Sequence, residues 1–167
     1  MLHLPEPRPD GILIRMIRRT LPLLALALAF STAALAQDRG TWRAVSTNAR
    51  SITGDLVISG AKLTVNMTSF PLANIRSLTA ADAAAVFGTD PGAPGNGTLY
   101  RLSVPPDRRF LHHNTLCGDE ETQWMATWVE GRNLQVAFFS GSSMPALTAD
   151  ALANASDVCG LFTYTRW

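Results

Sequence analysis

Lysine is almost missing from this chain of 167 residues: Lys62 stands alone, and every other cation is an arginine or histidine. Charged residues make up 16% of the sequence, with 14 Lys plus Arg against 13 Asp plus Glu. Four of the cations (Arg8, Arg15, Arg18, Arg19) and two of the carboxylates (Glu6, Asp10) precede Gln37, which leaves 10 against 11 in the remainder. Counterion-release binding to nucleic acid needs a basic run or stripe, and there is none, so no nucleic-acid partner is expected. Cysteine is scarce as well. Two thiols, Cys117 and Cys159, are too few for a thiolate metal site and too far apart for a C-x-x-C redox pair.

Complete catalytic motifs are also lacking. Gly141-Ser142-Ser143-Met144-Pro145 approaches a nucleophile elbow but ends in proline where the second glycine is required. Ser59-Gly60-Ala61-Lys62 has S-x-x-K spacing, yet it falls at a hairpin turn rather than at the start of a helix. Gly95-Asn96-Gly97 leads into a strand and so cannot cradle a phosphate at a helix N-terminus. The adjacent His112 and His113 would point to opposite faces of a strand, and could share a metal only if the chain turned there. Asp119, Glu120 and Glu121 lie beyond the next turn. The chain is therefore expected to be no enzyme and to carry no cofactor and no metal.

Hydrophobic runs of membrane-spanning length are missing too. The apolar run from Leu21 to Phe30 is too short to cross a bilayer comfortably; it follows Arg18 and Arg19 and precedes a small-residue ending at Ala34, Leu35 and Ala36. That order is a secretory signal peptide cleaved after Ala36, with Met16 the better start. Residues 1–36 are accordingly assigned to the leader and 37–167 to a single β-rich domain, periplasmic or secreted and monomeric. No retained membrane anchor is expected, since a lipoprotein anchor would need a cysteine at the cleavage point. In an oxidising compartment Cys117 and Cys159 most simply form one disulfide. On the chain-entropy model a loop of this length gives about 4 kcal/mol.

What the mature part does contain is alternation. Leu56 to Ile58 and Leu63 to Met67 flank Ser59-Gly60-Ala61-Lys62 as a hairpin, and Thr98–Val104, Phe110–Leu116, Thr122–Val129, Leu134–Ser140 and Leu161–Trp167 follow at turn-separated intervals. With Thr41 to Ser46 and Phe70 to Ile75 the total is about eight strands, which predicts an antiparallel up-and-down meander or small barrel. Thr79-Ala80-Ala81-Asp82 reads as a capping box opening a short helix to Phe87, and Thr148 as the cap of a second one reaching about Ala155. Trp124 and Trp128 share one strand face, and Phe162 and Tyr164 alternate on the last strand. Such rows either pack as core or line a cavity, and Trp124, Trp128, Phe138 and Tyr164 are the candidates for lining.

Gly40-Thr41-Trp42 at the first strand, about eight short strands, and a closing strand ending Tyr164-Thr165-Arg166 resemble the calycin group of up-and-down barrels. That resemblance implies a closing contact between Trp42 and Arg166 at one end of the barrel. The wider pattern adds Ser51-Ile52-Thr53-Gly54-Asp55, Leu116-Cys117-Gly118, Phe139-Ser140-Gly141 and Cys159-Gly160. It is similar to a set of small exported bacterial proteins of unknown function, which implies no activity. Neither this disulfide nor the loop from Thr89 to Gly97 is part of the calycin pattern. The expected function is binding of a small apolar ligand inside the barrel. The alternative is a protein-interaction module, such as an inhibitor of a periplasmic or extracellular hydrolase, that presents Thr89–Gly97 or Gly141–Leu147.

Overall fold

A computed structural model describes residues 37–167. The leader expected over residues 1–36 lies outside them. One sheet of nine strands runs β1 (Gly40–Ala44), β2 (Leu56–Ser59), β3 (Lys62–Val65), β4 (Thr68–Pro71), β5 (Ala73–Ser77), β6 (Asn96–Val104), β7 (Thr122–Glu130), β8 (Asn133–Phe139) and β9 (Val158–Arg166). Its lateral order is β4-β3-β2-β1-β9-β8-β7-β6-β5, antiparallel throughout. The two outermost strands, β4 and β5, are separated in the chain by Leu72 alone, whose N–H donates to Ala61 O at 2.8 Å. The sheet therefore curls back on itself into a nearly closed barrel, which leaves little free edge for pairing with another chain.

Two segment readings need correction. Phe70 to Ile75, read as one strand, breaks at Leu72 into the end of β4 and the start of β5. Phe110 to Leu116 is no strand: it folds as a 3₁₀ turn over Leu111–His113 inside the β6–β7 connection. Its apolar residues had suggested alternation, but Phe110 and Leu116 turn inward to plug one end of the barrel, and no partner strand is free to pair with them. Finally, Ala49–Thr53 forms a π-helical turn that no periodicity announced.

The helices start where their caps place them. Thr79 Oγ1 accepts from Asp82 N at 3.1 Å while Asp82 Oδ2 accepts from Thr79 N at 2.8 Å, opening α1 (Ala80–Phe87); Gly88 ends it in the left-handed region at φ 66°. Arg76 clamps Asp82 at 2.7 Å, and that ion pair holds the carboxyl down to about 2. Thr148 caps α2 (Ala149–Ala153).

Two apolar clusters sit on opposite faces of the sheet. The inner one fills the barrel with Trp42, Leu56, Ile58, Leu63, Val65, Met125, Leu134, Val136, Phe138, Phe162 and Tyr164, each at most 1% exposed. The outer one packs Leu99, Trp124, Ala126, Trp128, Ala137 and Phe139 beneath Ala83, Val86 and Leu147 of the helical layer. Because β7 and β8 are covered on both faces, their sequences read as nearly continuous apolar runs.

Candidate functional site

The barrel interior is occupied by the protein's own side chains. The Phe138 and Phe162 rings meet edge to face at 5.3 Å, and Tyr164 donates to or accepts from Thr53 Oγ1 at 2.6 Å. Burial pushes the Tyr164 phenol above its ordinary range. Of the four residues singled out as ligand lining, Phe138 and Tyr164 therefore belong to a packed core. Trp124 and Trp128 lie on the other face of the sheet, so the four do not line one cavity. The reason is the strand period: Met125, Thr127 and Val129 take the inward positions of β7, and both tryptophans point outward under the helices. There Trp124 Nε1 donates to Gly141 O at 2.8 Å, with the Arg101 guanidinium 4.7 Å from its ring. Trp128 packs so tightly beneath the preceding loop that a Cβ on Gly95 would come within 2.5 Å of its ring.

At the rim where the described chain begins, Trp42 and Arg166 are cross-strand partners, and the guanidinium lies 4.9 Å over the indole. The same guanidinium donates to Gln37 O, and Gln37 Oε1 accepts from Asn96 Nδ2 at 2.7 Å. Asp38 is buried here. Its carboxylate accepts from Tyr100 OH at 2.5 Å and Thr127 Oγ1 at 3.1 Å, while its carbonyl accepts from Trp42 Nε1 at 2.8 Å. Burial, then the Asp38 hydrogen bond, raise the Tyr100 phenol well above its usual value. Nothing in the strand pattern marks Asp38; a lone carboxylate two residues before a G-x-W is the only sequence trace of this knot.

Cys117 and Cys159 form the disulfide, with Cα atoms 4.7 Å apart. It ties the β6–β7 connection to the start of β9. His112 and His113 are exposed, and the chain does turn at them, with φ of 54° and 63°. Among the described residues no three of His, Cys, Asp and Glu come together as a metal-ligating group. Ser59 and Lys62 face each other across the β2–β3 turn as hairpin partners.

An open concavity lies outside the barrel, between the two helices. It has a volume of about 450 Å³ and is lined by Ala81, Ala84 and Ala85 of α1, by Pro91, and by Leu147, Thr148 and Ala149 at the start of α2. The N-caps Thr79 and Thr148 set its walls, since they fix where each helix begins. Alanine on both sides leaves the room between them. Neither of the two loops considered for partner binding forms it alone: Pro91 comes from one and Leu147 from the other.

No protein-family model matches the chain, and neither curated proteins nor solved structures give a match. Among the described residues no helix is long and apolar enough to cross a membrane.

Proposed function

We propose that this protein is an exported, non-enzymatic binding protein that takes a small apolar ligand on the outside of its barrel, in the groove between α1 and α2. The observation that carries this reading is the groove itself: about 450 Å³, walled by alanine, proline and leucine, within the size range of small-molecule sites. The packed interior argues against the barrel lumen as the site, because a ligand there would have to displace side chains such as Phe138, Phe162 and Tyr164 that are at most 1% exposed. The barrel then serves as a rigid support, stapled by its disulfide, that holds two short helices at a fixed separation. Neither helix is long enough to be stable by itself. Export is supported by the leader pattern and by the disulfide, which suits an oxidising compartment.

The test is native mass spectrometry of the mature protein recovered from its own host, beside a denatured, non-reduced run. A reproducible small adduct that leaves on denaturation and is lost in Ala81→Trp and Ala84→Phe is the expected result. An adduct retained by both groove-filling variants would place the site elsewhere. A bare monomer would overturn the ligand reading and favour the hydrolase-inhibitor alternative.

A further inference from the structure

A leader cut after Ala36 leaves Gln37 as the first residue of the mature protein, and glutamine is a residue whose side chain can close on its own α-amine. Gln37 is exposed, but it is not loose. Arg166 donates to its backbone carbonyl, and that guanidinium is itself fixed 4.9 Å over the Trp42 ring. Asp38, the next residue, is buried: its carboxylate is held by the Tyr100 and Thr127 hydroxyls and its carbonyl by the Trp42 indole N–H. The residue that would carry the free amine is therefore anchored on both sides to the barrel.

The two polar atoms of the Gln37 carboxamide are treated differently. Oε1 accepts from Asn96 Nδ2 at 2.7 Å, whereas Nε2 has no hydrogen-bond partner among the described residues. Asn96 opens β6 and is paired with Val129 of β7, so this donor is carried by the sheet and not by a loop tip. When a nucleophile adds to a carboxamide carbon, negative charge develops on the oxygen, and a donor already aimed at that oxygen stabilises it. Here the oxygen that gains charge has the donor, and the nitrogen that leaves has no contact to break.

We infer that Gln37 is a modification site, at which the mature N-terminus closes to a pyroglutamyl lactam on the folded barrel. The inference rests on the reading of residues 1–36 as a leader, and it is independent of the ligand groove, which is lined by other residues. In the closure the α-amine nitrogen bonds to Cδ of its own side chain and the Cδ–Nε2 bond breaks. One proton passes from the amine to the departing nitrogen, which leaves as ammonia; no oxidant and no co-reactant are consumed. An α-amine ordinarily titrates at about 8, so part of it is neutral and nucleophilic at neutral pH. Oε1 is retained as the lactam carbonyl, which leaves Asn96 an acceptor in the product. The closed terminus has no primary amine for an aminopeptidase to engage, and so protects the Gln37–Asp38 segment on which Tyr100, Thr127 and Trp42 depend for their hydrogen bonds.

The test follows the N-terminus by top-down mass spectrometry, first on the mature protein from its own host. The expected species begins at residue 37 and is lighter by one ammonia than the open chain with its disulfide. The rate is then measured on residues 37–167 freshly released from an N-terminal fusion, so that closure starts from an open glutamine. The folded chain should close about ten-fold faster than a peptide of residues 37–44 in the same buffer, because its amine, carboxamide and donor are already positioned. Asn96→Ala should slow the folded chain by about ten-fold with its melting temperature unchanged, a smaller loss than in an enclosed oxyanion hole because this donor is exposed to water. An open Gln37 in the mature protein would overturn the inference and leave the leader reading standing, whereas a mature chain that begins at another residue would overturn both. Equal rates in folded chain and peptide, or in Asn96→Ala and wild type, would show that the barrel does nothing for the closure and would overturn the site.

Discussion

The two ends of the barrel solve opposite problems. At the rim beside the first described residues, every polar group on the Asp38 knot has a partner: a buried carboxylate with two hydroxyl donors, an indole N–H on a carbonyl, and an arginine stacked on the same indole. At the other rim, exposed side chains, Met67 among them, sit on left-handed backbone and depend on bracing from beneath. Buried polar groups left unpaired are costly, and the carboxylate, the two hydroxyls and the Trp42 indole of this knot are each paired. Strain that stability alone would remove persists at the second. The first end closes on a buried polar knot, and the second carries left-handed backbone on an exposed turn.

The contrast can be broken at several points. Trp42→Ala should have the largest effect, about 3–5 kcal/mol by chemical denaturation, since it leaves a cavity and strips Asp38 and Arg166 of their partner. Replacing both Cys117 and Cys159 with alanine should cost about 2–4 kcal/mol and loosen mainly the opposite rim, visible as faster amide exchange in the β6–β7 connection. Asp38→Ala should cost about 1–3 kcal/mol by leaving the Tyr100 and Thr127 hydroxyls without their acceptor; Asp38→Asn, which keeps an oxygen, should cost less.

Smaller effects sharpen the comparison. The Asp82 carboxyl is held to about 2, below its unfolded value, so its contribution is fully present above about pH 4. It is lost as pH falls towards 2, and Asp82→Asn should flatten that part of a stability-versus-pH curve. Met67→Gly should gain about 0.5 kcal/mol, the strain relieved less the entropy glycine adds to the unfolded chain. A loss of stability there would show that the rim is not strained.

Much of this architecture is legible in the residues. Period-two alternation marks most of the strands, Thr79 with Asp82 and Thr148 mark both helix starts, and the two cysteines pair. Less was legible at Phe110–Leu116, whose apolar content mimics a strand although its residues act as a plug. Asp38 gave no signal, because a carboxylate near a strand start is ordinarily solvated. The groove was invisible for a different reason: its walls, the alanines of α1 on one side and Leu147, Thr148 and Ala149 on the other, come from segments more than fifty residues apart.

What the sequence by itself determined is which residues share a face: Trp124 with Trp128, and Met125 with Thr127 and Val129, follow from the two-residue period of any strand. Which face is inward was decided only by the tertiary structure. Both sides of β7 and β8 are apolar, and the choice depends on where the helices, capped far away in the chain, come to rest against the sheet. Local geometry sets a strand's alternation, but only closure of the barrel gives it an inside.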